Sequence, residues 1–354
     1  MTAIRQAVIF SDLHCGCQYG LCPQHKIKLD GGGTYSPGRS QRKMAEVWEY
    51  VWKHWVPAAT KGEPYAVVVN GDVLDGVHHR SVTQITHNLK DQRRIAYEIL
   101  APIRDKTDAF YMVRGTEAHV GQSGQDEDEL AGQLDSVRDE NGNASRNELW
   151  LRLGPALVHC AHHIGTAGSM AYETSALMRE LAELLIDSAR WGQRPPDVVV
   201  RSHRHKHIEV RIPTQSVYGI CFTTAAWQLM TPVAYRFAGA RVSTPHIGLS
   251  LVRRGDEEIY TRHFVQSLGR RPAATPRQRN GKSTENAGCL RGAAQGRDRG
   301  AGRRAAASRS GLQLRARPGA VADARRRREK AGAMAGAATV VETALAGGIE
   351  RLHA

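Results

Sequence analysis

The feature that most constrains this sequence is a series of five short apolar runs, each followed by acidic or histidine side chains. These runs are AVIF (7–10), AVVV (66–69), AFYMV (109–113), ALVHCA (156–161) and DVVV (197–200). Between them, apolar residues recur at helical spacing, as at Met44, Val47, Trp48 and Val51. Strands that are apolar on both faces and alternate with helices predict an α/β core.

Beyond residue 205 the pattern changes to extended segments. IEVRIP (208–213) and GICFTT (219–224) are predicted strands, and residues 247–265 are a predicted hairpin that turns at Arg254-Gly255-Asp256. A β-rich second half attached to an α/β first half predicts two sheets packed together, with helices outside them.

The positive charge is concentrated at the C-terminus. The chain has a net charge of +14, but residues 270–354 contain 19 Lys and Arg against 6 Asp and Glu, which leaves the remainder close to neutral. After about residue 268 the sequence is Arg, Ala and Gly without periodicity, which predicts a disordered tail. We therefore predict a folded domain over 1–268 and a basic tail over 269–354, with a nucleic-acid-binding arm as the alternative for the tail.

The cysteines and the N-terminus indicate a reducing compartment. Six cysteines form no regular disulfide framework, and no stretch approaches the roughly 20 apolar residues that a membrane span needs. The apolar run near the N-terminus is too short for a signal-peptide core. We expect a soluble, cytoplasmic protein in which Cys15, Cys17 and Cys22 are reduced loop residues rather than zinc ligands.

Groups that can bind metals follow the predicted strands. They are Asp12 and His14, Asp72 and Asp75, Glu117 and His119, His162 and His163, and finally His203 and His205. The C-terminal ends of strands are where open α/β sheets build their sites. Carboxylates with imidazoles suit Zn, Mn or Fe. In an extended Asp-x-His segment both side chains point to one side, so Asp12 and His14 are expected to share a site.

These motifs carry a family resemblance. SDLH, NGDVLDG, RGTEAH, HH and SHRH, in this order, resemble the motifs of calcineurin-like metallophosphoesterases, and the wider wording is similar to the phage- and prophage-encoded branch. The resemblance spans about residues 7–268. It implies a four-layer αββα sandwich with a two-metal site.

The resemblance also implies a ligand set for two divalent ions, Mn, Zn or Fe. The first ion would be held by Asp12, His14, Asp72 and His205. The second would be held by Asp72 as a bridging carboxylate, by His203, and by His162 or His163, of which we prefer His162. In such sites the ions lie ~3.5–4 Å apart, and metal-activated hydroxide attacks the phosphate. Ser202 stands where the family has glycine.

The RGTEAH loop departs from the family pattern, which has asparagine as a ligand followed directly by histidine. Glu117 is one candidate replacement for the asparagine. Thr116 or a water molecule is another, and a degenerate, inactive loop is the third. The other ligand positions are intact, which favours a working site.

Four further residues receive roles. His119 is the candidate general acid, because the pKa of imidazole lies nearest neutrality. Arg114, Arg204 and His79 are candidate substrate contacts, the arginines through phosphate oxygens.

We therefore predict a hydrolase that cleaves a phosphate ester, with a phosphodiester favoured and nucleic acid or a nucleotide as candidate substrate. The alternative is a catalytically degenerate metal- or nucleic-acid-binding protein that acts through its basic tail.

Overall fold

The computed structural model describes residues 3–78, 80–121, 123–165, 170–214, 217–232, 234 and 244–267. The predicted tail, 269–354, lies outside the described residues, so its disorder and the boundary at 268 stay predictions. In the described part, no helix is both long enough and apolar enough to cross a membrane.

Two sheets form the centre of the fold. The first has six strands, which lie side by side in the order β13 (Ile259–Ser267), β12 (His246–Arg254), β1 (Gln6–Phe10), β4 (Ala66–Asn70), β5 (Ala109–Val113) and β6 (Ser145–Arg146). The second has five, in the order β10 (Ile208–Thr214), β11 (Val217–Thr223), β9 (Val198–Arg201), β8 (Ala156–Ala161) and β7 (Glu148–Leu153). A small separate pair, β2 (Ile27–Lys28) and β3 (Thr34–Tyr35), precedes the first helix.

Helices lie on the outer face of each sheet. They are α1 (Arg39–Tyr50), α2 (Val56–Thr60), α3 (Leu89–Arg104), α4 (Glu117–Val120), α5 (Gln125–Gln133) and α6 (Glu173–Arg190), with a π-helical turn at Val51–Trp55 and a 3₁₀ turn at Met170–Tyr172. The amphipathic pattern of α1 places Met44 and Trp48 in the core against the first sheet, where α3 and α5 also pack. Leu177 and Leu181 of α6 pack against the second sheet.

The space between the sheets is filled by apolar side chains from both. Ile9 and Val68 from the first sheet meet Val158, Val200 and Phe222 from the second. Three apolar cores thus separate four layers in the order helix, sheet, sheet, helix, which confirms the predicted αββα architecture.

Strand direction then gathers the predicted motifs at one edge. β1, β4 and β5 are parallel neighbours in the first sheet, and β8 and β9 are parallel neighbours in the second. The loops after β1, β4 and β5 therefore leave the first sheet at one edge, and the loops after β8 and β9 leave the second sheet at one edge.

The strand β7 (ELWLRL) was not predicted. Leu149, Leu151 and Leu153 are buried while the residues between them are exposed, which is the alternation of a strand with one face on a core. It pairs antiparallel with β8.

Candidate metal centre

Six side chains from the strand ends form two adjoining groups. Asp12, His14 and His205 form one, and Asp72, His162 and His203 form the other. Within each group the three ligand-type atoms lie within 4.8 Å of one another. Loops that are far apart in sequence supply both groups, as the strand-end pattern predicts.

The distances within the groups are short. His205 Nε2 lies 3.2 Å from Asp12 Oδ1 and also 3.2 Å from His14 Nε2. In the other group, His162 Nε2 lies 3.0 Å and His203 Nδ1 3.9 Å from Asp72 Oδ2. His162 Nε2 is also 4.0 Å from Asp12 Oδ1, so the two groups form one continuous cluster.

The backbone at these positions is unusual. Among the described residues, eight that are not glycine have positive φ, and five of them are Asp12 (55°), His14 (46°), Asp72 (51°), His203 (72°) and His205 (53°). The left-handed conformation costs such residues about 1–3 kcal/mol each and is concentrated at functional sites. The expected extended geometry of Asp-x-His is therefore wrong: left-handed residues, not a flat strand, aim Asp12 and His14 at one point.

Buried polar atoms in the cluster lack hydrogen bonds. Asp12 and Asp72 are 0% and 1% exposed, and His162 is 1% exposed. Within the described part of the chain, Asp12 Oδ1 and His162 Nε2 have no hydrogen-bond partner. Buried carboxylate and imidazole atoms that face one another at 3–4 Å without hydrogen bonds are the donor set of a cation-binding site. The residues present therefore fit divalent metals.

The electrostatics keep both carboxylates charged. Burial by itself raises the pKa of Asp12, but His205 and His162 outweigh it and lower the pKa to about 2. Burial also acts to raise the pKa of Asp72, yet His162, His203 and His119 hold it well below its usual range. Two anionic carboxylates at this edge favour the binding of cations.

Neighbouring groups orient the imidazoles. His162 Nδ1 lies 2.7 Å from the carbonyl of Asn70, which leaves Nε2 to face the cluster. His14 Nδ1 lies 3.3 Å from Asp75 Oδ1, and Gln84 donates to the other oxygen of Asp75 at 2.9 Å. The contact with Asn70 fixes the tautomer of His162. Asp75 lies beside His14 without forming a hydrogen bond to its Nδ1.

A chain of hydrogen-bonded, buried hydroxyl groups ends on the Asp12 carboxylate. Ser11 Oγ donates to Asp12 Oδ2 and lies 2.6 Å from Thr224 Oγ1, which is 2.8 Å from Ser202 Oγ. Asn70 Nδ2 donates to Ser202 Oγ at 2.7 Å. All of these residues are fully buried. The Ser202 hydroxyl therefore links strand ends of the two sheets.

The RGTEAH loop places Thr116, and not Glu117, at the cluster. The Thr116 hydroxyl lies 3.2 Å from Asp72 Oδ2 and 3.2 Å from His203 Nδ1. Glu117 is exposed at the first position of α4 and belongs to none of the ligand groups among the described residues. His163 is likewise exposed and outside those groups, whereas His162 lies inside one.

One turn of α4 explains why histidine comes three positions after threonine. Thr116 is the N-cap residue, and His119 N donates to the Thr116 carbonyl at 2.8 Å. This turn brings His119 Nε2 to 3.9 Å from Asp72 Oδ2, with its ring 4.6 Å from that of His14. His119 also forms a ligand-type group with His14 and Asp72.

The protonation of His119 differs from the expectation for a general acid. Burial and the neighbouring His14 lower the pKa of His119 to about 4, so the ring is neutral near pH 7. Nδ1 lies 2.7 Å from the Asp75 carbonyl, which can only accept a hydrogen bond, so the proton is on Nδ1. Nε2, facing Asp72, is then a proton acceptor.

The predicted substrate contacts lie elsewhere. Arg114 donates to Ser145 Oγ at 2.9 Å and pairs with Asp128 at 3.4 Å. Arg204 donates to the Gly165 carbonyl. Neither arginine lines the cleft of about 350 Å³ beside the cluster, among the residues described there. His79 lies outside the described residues.

The cleft exposes part of the cluster to solvent. Its lining includes His14, Asp72, His119, His203 and His205, together with Ser81, Thr83 and Gln228.

The cysteines take no part in the ligand groups of the described residues. Cys15, Cys17 and Cys22 are buried and free, and burial raises the pKa of the Cys17 and Cys22 thiols to about 12.

Comparison with known proteins gives only remote likenesses. No protein-family model matches the sequence, and no curated protein does. Among solved structures, zinc-bound Vps29 from Entamoeba histolytica is 10% identical with a TM-score of 0.34, over 73% of this chain and 92% of that one. A metallophosphoesterase from Sphaerobacter thermophilus is 11% identical with a TM-score of 0.32, over 75% and 89%. Vps29 from Cryptosporidium parvum is 13% identical with a TM-score of 0.29, over 75% and 100%. Likenesses this remote do not assign a function.

Proposed function

We propose that this chain is a metal-dependent phosphoesterase that hydrolyses a phosphodiester, with nucleic acids and nucleotides as the first substrates to test. One observation carries the proposal. Five residues with left-handed backbone, together with His162, bring two carboxylates and four imidazoles to one edge of the sandwich, beside a cleft of about 350 Å³.

The proposed metal ligands follow from the two groups. Asp12, His14 and His205 would hold one divalent ion, and His162 and His203 the other, with Asp72 shared between them. Manganese, zinc and iron all suit this mixture of donors. When bound, such ions supply Lewis acidity toward a phosphate group and toward water.

Two residues of the RGTEAH loop would assist the metal ligands. The Thr116 hydroxyl would hold the Asp72 and His203 side chains in place, since it lies 3.2 Å from Asp72 Oδ2 and 3.2 Å from His203 Nδ1. His119 would manage the proton of the leaving group. As a neutral ring it must first take up a proton from solvent at Nε2, and it then delivers this proton as a general acid to the leaving-group oxygen.

The test is hydrolysis of bis(p-nitrophenyl) phosphate by the full chain with added Mn²⁺, Zn²⁺ or Fe²⁺. We expect turnover that is lost in His203→Ala and kept in His87→Ala, since His87 is exposed and, among the described residues, belongs neither to the ligand groups nor to the cleft lining. Cleavage of single- and double-stranded DNA would then be compared. The similarity of the sequence around the motifs to phage- and prophage-encoded proteins supports a nuclease.

The contrary outcome is also defined. Absence of turnover with every ion, together with salt-dependent DNA binding that disappears on removal of 269–354, would favour the degenerate, tail-acting protein.

A further inference from the structure

The acidic segment at the start of α5 contains one carboxylate unlike its neighbours. Asp126 and Glu129 pair with Arg93, and Asp128 accepts hydrogen bonds from Ser145. These three side chains are at least partly exposed, whereas Glu127 is 0% exposed. A carboxylate is almost never fully buried without a specific partner.

The partners of Glu127 are two backbone amides from different loops. Val73 N donates to Oε1 at 2.7 Å, and Gly115 N donates to Oε2 at 2.8 Å. Val73 directly follows Asp72, and Gly115 directly precedes Thr116. Each carboxylate oxygen therefore holds one of the two loops that meet at the candidate metal centre.

The two loops are in direct contact where Glu127 holds them. A Cβ atom at Gly115 would lie 2.1 Å from Asp72 Oδ1, and one at Gly71 would lie 2.8 Å from the Gly115 Cα. Thr116 N then donates to Asp72 Oδ1 at 2.6 Å. Because only glycine allows this approach, a small shift of either loop changes where the Asp72 carboxylate points.

We propose that Glu127 is a positioning residue: by accepting hydrogen bonds from both loops, it sets Asp72 and Thr116 in the geometry that binds metal. The proposal rests on the proposed metal centre, but it is tested by metal affinity and not by turnover. A residue that only stabilises the fold would lower the melting temperature and leave the metal affinity of the folded protein unchanged.

The first experiment compares Glu127→Gln with Glu129→Gln in the full chain, by calorimetric titration with Mn²⁺ alone. The glutamine amide oxygen can accept from one backbone N–H, but its NH₂ group would face the other donor. We expect the dissociation constant for Mn²⁺ to rise about 10–100-fold in Glu127→Gln, as for other groups that orient metal ligands, and to stay within twofold of wild type in Glu129→Gln. Equal affinities in the two variants would overturn the proposal.

A second measurement uses the wild-type protein, in case Glu127→Gln does not fold. Amide hydrogen exchange should show strong protection of Val73 and Gly115, because both amides donate to a buried carboxylate. Rapid exchange at either amide would exclude the two-loop contact. If the wild type binds Mn²⁺ but hydrolyses nothing, the proposed activity fails while the role of Glu127 is still decided by the titration.

Discussion

The strands of this protein and the loops that directly follow them obey opposite rules over a distance of a few residues. The body of β4 is a run of buried apolar side chains in regular pairing with β1 and β5. Two residues beyond its end, Asp72 is charged, buried and left-handed. Asp12 shows the same change after β1, and after β9 the left-handed residues are His203 and His205, which line the cleft. Regular, well-packed strands thus provide the rigid frame on which strained and charged residues can be held.

The largest effect should come from removing a charge at the strand ends. Asp72→Asn deletes the carboxylate that the proposed site shares between its two ions, so we expect phosphodiester hydrolysis to fall on the order of a thousandfold or more. Asp105→Asn, in an exposed residue at the end of α3, is the control. Steady-state rates with saturating Mn²⁺ measure both. Comparable rates for the two variants would remove Asp72 from the site.

A cavity in a strand body should act on stability alone. Leu153 is fully buried between the sheets, at the end of β7, and belongs to none of the loops that form the cleft. We expect Leu153→Ala to lower the free energy of unfolding by about 2–5 kcal/mol, measured by urea titration of the full chain. The Mn²⁺ affinity of the folded protein should not change. A weakened affinity would show that the strand bodies and the cluster are not independent.

A single methyl group at a loop contact should weaken the binding of Mn²⁺. Gly115→Ala places Cβ 2.1 Å from Asp72 Oδ1, so the loops must separate. We expect Mn²⁺ affinity to fall about tenfold or more. Gly132→Ala is the matched control, since its Cβ would meet nothing within 4 Å in α5, where alanine should stabilise by about 0.5–1 kcal/mol. Unchanged Mn²⁺ affinity in Gly115→Ala would mean that the two loops can move apart without disturbing the metal ligands.

The smallest effect concerns a histidine in a strand body. Burial and the adjacent Arg201 lower the pKa of His159 in β8 below its ordinary value. The unfolded chain therefore takes up this proton first, and the stabilising contribution, complete above about pH 6.5, is lost as the pH falls toward the lowered value. His159→Gln should flatten the decline in unfolding free energy between pH 7.5 and pH 5, relative to His87→Gln. Identical slopes would contradict this.

Much of the frame could be predicted from the sequence. The strands β5 and β8 occur at the predicted bounds, because short, fully apolar segments leave few alternatives. The strand β7 was missed although its leucines alternate with Glu148 and Arg152, since the apolar Trp150 at an exposed position interrupts the apolar–polar alternation.

The chemistry of the cluster was easier to predict than its geometry. Aspartate and histidine after each strand identify the kind of site, but nothing in Asp-x-His distinguishes a left-handed residue from an extended one. The orientation of Glu117 depends on where α4 begins: with Thr116 as the N-cap, the next side chain points outward.

Glu127 could not have been singled out. DEDEL has the composition of an exposed helix start, where acidic residues are ordinary. Only the packing of α5 against the two loops separates one carboxylate from the other three.

The candidate metal centre also has a consequence for the order of assembly. Its residues run from 12 to 205 and come from both sheets, so the cluster is complete only after the sandwich has closed. A metal ion can therefore stabilise the native state, but it cannot stabilise an early folding intermediate in which the cluster has not formed. Added Mn²⁺ should slow unfolding and leave the rate of refolding nearly unchanged.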